Sequence, residues 1–196
     1  MYSQKGEEQI ILRYFHGQTP GRLLDIGAWD GRTFSNTLAL IERGWEAVLI
    51  EPSPGPFRHL LKLHNGNPLV TSLNVAIAVQ EEPVQQRRWW ASDDAVSTMN
   101  EKHYLRWRDA AAFTEGEVTV WSPQYLFSVV GMGFNFINID IEGDSADLWF
   151  HSFAGHLIPA CYCIEHDGRW EAILERGAQM GYKCLYHDGN NVIIVR

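Results

Sequence analysis

A chain of 196 residues is long enough for one well-cored domain and short for two, and 45% hydrophobic with 20% charged residues is a globular balance. No apolar run approaches the ~18 residues that a membrane helix requires. Sixteen Lys and Arg against twenty-four Asp and Glu give a net charge of −8, which repels polyanions and disfavours a nucleic-acid partner.

The opening MYSQKGEEQIILRYF lacks the basic start and apolar core of a secretory signal, so a cytoplasmic protein is expected. Residues 1–21 read as an N-terminal helix with Ile10, Ile11, Tyr14 and Phe15 on one face, ended by Gly17, Pro20 and Gly21. The first strand follows at Leu23, Leu24 and Ile26. A turn bearing Gly27, Ala28 and Gly31 leads to a helix with apolar residues at Phe34, Leu38 and Ile41. A second strand, Ala47 to Ile50, ends on Glu51.

After Pro52 the run PSPGPF is expected to break structure before a helix over Phe57 to His64. Leu69 to Val79 reads as one third strand. Residues 84–128 form an insertion, with β-rich runs at Val84 to Trp90 and Val118 to Trp121. Between those runs lies an irregular stretch with Ser97, Thr98, His103, Tyr104 and Trp107, and Arg87, Arg88, Trp89 and Trp90 lead into it. Its mix of aromatic and polar side chains suits either a substrate lid or a solvated cap on the sheet edge.

Phe134 to Ile141 is a further strand, and Asp140 and Glu142 project to one side if extended geometry persists that far. The plain alternative is that these acids serve the N-terminus of a helix over Ser145 to Phe153. Ala160 to Ile164 is the next strand, ending in Glu165, His166 and Asp167. A helix over Trp170 to Met180 and a hairpin turning at Asp188-Gly189 close the chain. Cys161 and Cys163 read as core thiols, since three cysteines, with Cys184, are too few for a disulfide framework.

Strand, glycine turn, helix, strand and acid make a nucleoside-binding half-fold, with a carboxylate placed to accept hydrogen bonds from a ribose diol. Gly31 stands twenty residues before Glu51, the spacing of such a unit. The middle glycine of the dinucleotide fingerprint is missing. Asp25 and Asp30 suit the ammonium of S-adenosylmethionine (SAM) better than a diphosphate. For methyl transfer to an alcohol, Asp140, Glu142, Glu165 and His166 are candidates for the base. Asp140, Glu142 and Glu165 are the candidate ligands of a divalent metal, whose hard oxygen donors favour magnesium, calcium or manganese.

Several ordered motifs together resemble the FkbM-type SAM-dependent methyltransferases: SQKGEEQIILRYF from Ser3, DIGAWDGRTFSNT from Asp25, GWEAVLIEPSP from Gly44, NVAIA from Asn74, Ser97-Thr98, NIDIEGD from Asn138, EHD from Glu165 and GNNVIIV from Gly189. The resemblance implies an α/β, Rossmann-like class I methyltransferase fold: a mostly parallel sheet, helices on both faces and a C-terminal antiparallel hairpin. It implies SAM held by Asp25, Gly27, Ala28, Trp29, Asp30 and Gly31, with Ser35 beyond the turn. Glu51, Pro52 and Ser53 would serve the ribose, Asn74 and Val75 would lie near adenine, and Asp140 would complete the set. It also implies O-methylation of a small-molecule or glycan acceptor. Asn138 stands where the family often has lysine, and Trp29 where a smaller residue is usual. Two other readings stay open: a non-catalytic binding module that retains the SAM fold, and a nucleotide-dependent oxidoreductase.

Overall fold

The structure, a computed structural model, describes residues 1–92 and 95–196; Asp93 and Asp94, inside the expected insertion, lie outside the described residues. Among the described residues, no helix is long and apolar enough to cross a membrane.

The strands β1 (Arg22–Ile26), β2 (Glu46–Ile50), β3 (Val70–Leu73), β7 (Phe136–Ile139), β8 (Cys161–Glu165), β9 (Lys183–His187) and β10 (Asn191–Val195) form one seven-stranded sheet, ordered β3-β2-β1-β7-β8-β10-β9. The first five pair in parallel, while β10 runs antiparallel between β8 and β9. The inner strands are near-continuous apolar runs because both faces are covered. Alternation divides them cleanly. Leu24, Ile26, Val48, Ile50, Ile137, Ile139, Tyr162, Ile164, Val192 and Ile194 pack on one face, with Leu126, Trp149, Phe153 and Ile173 from helices. Leu23, Ala47, Leu49, Phe136, Cys161, Cys163, Ile193 and Val195 pack on the other with Ile11, Phe15, Leu40, Ile41 and Leu60. Helices α5 (Pro123–Val130) and α7 (Trp170–Gln179) therefore serve the first face, and α1 (Glu7–Tyr14), α2 (Leu38–Ile41) and α3 (Pro54–Leu63) the second.

Several expectations are corrected. The helix expected around Phe34 is only the four-residue α2: Phe34 has φ of 58° and is 49% exposed, and Asp30 instead binds the Arg32 and Thr33 amides at 2.7 Å to make a loop. The PSPGPF run does not break structure, since Pro54 opens α3 at a position where its missing N–H costs nothing. The third strand divides in two. Asn74 donates to the Glu51 and Pro52 carbonyls, β3 stays in the main sheet, and β4 (Ala76–Ile77) leaves it for a small sheet ordered β4-β6-β5.

That small sheet contains β5 (Val84–Ser92) and β6 (Phe113–Trp121), antiparallel over nine residue pairs, with Ala76, Ala78, Trp89, Val118 and Val120 as its core. Helix α4 (Glu101–Trp107) lies in the connection between β5 and β6. The remaining helical segment begins as α6 (Ser145–Leu148) and widens to a π-helical turn over Trp149–Phe153.

Candidate functional site

A cavity of about 560 Å³ lies at the carboxyl ends of β1, β2, β7 and β8, within the roughly 300–1,000 Å³ typical of small-ligand sites. It sits where the sheet reverses direction from β1 toward β2 and β7. Of the residues singled out from sequence, Asp25, Gly27, Ala28, Trp29, Ser35, Glu51, Pro52, Ser53, Val75, Asp140, Glu142, Glu165 and His166 line it. Asp30, Gly31 and Asn74 do not. Asp30 closes its loop on the Thr33 hydroxyl at 2.7 Å, Gly31 is where a Cβ would stand 2.4 Å from Leu60, and Asn74 ties β3 to the end of β2.

The glycine turn is built for the sheet as well as for a ligand. Gly27 has φ of 94°, and a Cβ there would lie 1.7 Å from the Asp140 carbonyl oxygen, so β1 and β7 could not close around any larger residue. The Gly27 and Ala28 amides both donate to the Ile50 carbonyl at 2.9 Å, which fastens the turn to β2. Trp29, at φ of 46°, stacks on Phe34 with centroids 6.1 Å apart.

Glu51 is 5% exposed; its Oε2 accepts from the Trp29 amide at 3.0 Å and its Oε1 from the Ser53 amide at 2.6 Å. Burial pushes its pKa up to about 7, the two amides oppose the shift, and the Asp25 charge adds to it. Each carboxylate oxygen keeps a second lone pair for a further donor. Asp25, 3% exposed, is enclosed by the Thr37 hydroxyl at 2.6 Å and the Asn138 amide at 2.8 Å, and burial raises its pKa. Asn36 extends this chain by donating to Asn138 at 3.1 Å, leaving its own buried Oδ1 without a partner. Asn138 thus supplies a neutral hydrogen bond to Asp25.

At the other end, Asp140, Glu142 and Glu165 each bring one carboxylate oxygen to within 4.8 Å of the others. Extended geometry does not persist as expected beyond β7: Glu142 has φ of 56° and Gly143 φ of 100°, and the turn itself directs the two acids together. Glu165 holds that turn, its Oε2 accepting from the Ser145 hydroxyl at 2.9 Å and the Glu142 amide at 3.2 Å. Burial raises the pKa of all three acids. The Asp25 charge adds to the rise at Asp140, and the Asp140 charge to that at Glu142 and Glu165. Neither Asp140 nor Glu142 caps α6; that first turn is served by Asp167, whose Oδ2 accepts from the Ala146 amide at 3.0 Å. His166 has both ring nitrogens engaged, Nδ1 accepting from the Gly168 amide at 2.9 Å and Nε2 3.1 Å from the Asp188 carbonyl.

Asn36, Arg106, Asn190 and Asn191, not singled out from sequence, complete the wall together with His103 and Trp107 of the stretch read as a lid or cap. Helix α4 brings His103, Arg106 and Trp107 over the acids. His103 Nε2 lies 3.2 Å from Glu142 Oε2 without a hydrogen bond between them. Burial lowers the His103 pKa, and Arg106 lowers it further. The signal for these contacts was Asn100, an N-cap residue before a short helical run. Its side chain accepts from the Lys102 and His103 amides and donates to the Gly143 carbonyl and Asp144. Thr98 Oγ1 donates to the Glu142 carbonyl at 2.8 Å.

A doubly wound sheet with one antiparallel strand inserted between its last two positions, and a cavity at its switch point, decides the architecture. This is the class I methyltransferase fold. No protein-family model and no curated sequence matches the chain. Solved structures similar to it include the Methanococcus jannaschii fibrillarin pre-rRNA processing protein (13% identity, 90% of this chain and 66% of that one, TM-score 0.47). Others are the fibrillarin/Nop5p complex (13%, 95% and 78%, TM-score 0.46) and the delta-N METTL16 MTase domain (10%, 96% and 78%, TM-score 0.49). The chain spans just under two thirds of the first of these, and identities of 10–13% leave substrates and partners as properties of those proteins.

Proposed function

We propose that the chain is a SAM-dependent methyltransferase acting on a hydroxyl of a small molecule, a sugar or natural-product-like acceptor. The observation that carries this reading is the acid-rich lining of the cavity. Asp25, Glu51, Asp140, Glu142, Glu165 and Asp167 line it, against Arg106 alone among lysines and arginines of the described residues. Such a wall offers acceptors to the ribose hydroxyls and ammonium of SAM and a single cationic side chain to a diphosphate. The ordered FkbM-like motifs support the acceptor class, and the net charge of −8 supports a partner other than nucleic acid.

The donor set fits the cofactor. Glu51, at the tip of β2, would accept the ribose hydroxyls, the turn from Gly27 to Trp29 would flank the methionine half, and Val75 and Ile77 would offer an apolar wall to the base. SAM bound there would supply an electrophilic methyl group. The protein's own tasks are alignment and removal of the hydroxyl proton. Asp140 is the acceptor for that proton, since burial raises its pKa to about 7, whereas Glu142, raised to about 9, already holds a proton near neutrality and the His166 ring is committed to backbone. Trp89 and Trp107 line the same cavity and would exclude water from the reacting groups.

Titration calorimetry is expected to show binding of SAM or its demethylated product and none of NAD. Glu51→Ala should weaken SAM roughly 10- to 150-fold, the worth of one charge-assisted hydrogen bond. Tight NAD binding would overturn the assignment. A screen of hydroxylated acceptors with methyl-labelled SAM identifies the acceptor class.

A further inference from the structure

We propose that the indole N–H groups of Trp89 and Trp107 form an acceptor-reading subsite, selecting a polyol in which further oxygens stand beside the hydroxyl that is methylated. Each Nε1 is buried and has no hydrogen-bond partner among the described residues. An indole nitrogen can only donate, and a buried donor is normally paired. Trp89 as a whole is 7% exposed. Trp149 also has an unpartnered Nε1, but its ring is packed in the main core and lines no part of the cavity. Trp89 and Trp107 differ from it in reaching one cavity from two separate elements, β5 and α4.

Both rings are held by their surroundings. Trp89 stands in the β5–β6 ladder opposite Gly116 and packs with Ala76, Ala78, Val118 and Val120. Trp107 lies one helical turn after His103 on α4, with ring centroids 6.3 Å apart, and the Arg106 guanidinium sits 5.6 Å from the centre of its ring. Donors fixed in this way need little ordering when a ligand arrives. His103 is itself 3.2 Å from Glu142, so Trp107 is close to the acids at the strand tips.

The two walls of the cavity differ in kind. The strand tips bring carboxylates, Asp140 among them, and the insertion brings two N–H groups that can only donate. A polyol answers both, with one hydroxyl turned to Asp140 and neighbouring oxygens accepting from the indoles. An isolated alcohol leaves the buried indoles unpaired, and a site built around donors rejects a ligand that cannot pair them. The choice of methylated hydroxyl rests on the methyl-transfer reading; the binding of a polyol does not.

The test uses the full chain with the methyl glycosides of glucose, galactose and mannose and the deoxy forms of each. Saturation-transfer magnetic resonance on the SAM-free chain reads binding, and methyl-labelled SAM reads transfer. At least one glycoside is expected to bind and to be methylated, and removing a hydroxyl beside the methylated one should lower kcat/KM about tenfold. Trp89→Phe and Trp107→Phe remove an N–H and keep an aromatic ring, and a cooperative thermal melt confirms that each is folded. Each should raise KM more than it lowers kcat, and in one of them the deoxy penalty should vanish, because the donor that read the missing oxygen is gone. No deoxy penalty in the parent chain, or one that survives in both variants, overturns the indole assignment. SAM binding with no glycoside bound or methylated sinks the subsite alone. Glycoside binding that the Phe variants weaken, with no SAM binding, sinks the methyl-transfer reading alone, and failure of both ligands to bind sinks both.

Discussion

Glu51 couples stability to pH through one proton and, on the proposed reading, to cofactor binding as well. Its pKa stands near 7 against an ordinary 4.5, first because it is buried, with Asp25 on β1 adding to the rise and the Ser53 and Trp29 amides opposing it. The folded chain therefore keeps a proton that the unfolded chain releases. The stabilisation is full below about pH 4.5 and is lost as pH climbs through 7; at about 1.4 kcal/mol per unit this is about 3–4 kcal/mol. Thermal melts should show a fall between pH 5 and 8 that Glu51→Gln flattens. Ribose hydroxyls would donate to the ionised form, so SAM affinity should move the opposite way, roughly tenfold weaker at pH 6 than at pH 8. Affinity that is flat across this range would remove Glu51 from the contact. The acid itself was legible from its place at the end of an apolar run, twenty residues after Gly31. Its bonds to Trp29 and Ser53 were not, because they depend on how the loops after two different strands meet.

Helix α4 shows how an element can wall a cavity without being core. None of its residues is buried, and seven residues are too few for an isolated helix to hold in water, so its order comes from docking. Asn100 is the hinge of that docking, capping α4 and binding Gly143 and Asp144 in the acid turn. Asn100→Ala should cost about 0.5–2 kcal/mol locally. Hydrogen exchange over 101–107 should then quicken while the main sheet is unchanged. Equal protection in the variant would mean that the ring contacts of Trp90 with Tyr104 suffice to hold the helix. The segment's aromatic and polar composition pointed to a cover over something. What it covers could not be read, because the residues it meets come more than forty positions later.

The whole molecule carries −8, and acids outnumber bases in the lining of its cavity as well. A short single-stranded RNA should show no retention in filter binding at low salt, where phosphate contacts are strongest; micromolar binding would displace the small-molecule acceptor. Local pattern was enough for the parallel strands and their order of appearance. Near-continuous apolar runs announce strands buried on both faces, and Asp-Gly between two β-rich runs announces the final hairpin. The sequence also placed acids at three strand tips, because a carboxylate directly after a buried run can only lie at the sheet's edge. Tertiary structure decided the rest. The departure of β4 into a second sheet depends on Asn74 binding carbonyls at the end of β2, and the arrival of His103 at Glu142 depends on Gly143 leaving room for it. Both are contacts between segments far apart in the chain, and periodicity, which reports only which face of its own element a residue occupies, carries no information about them.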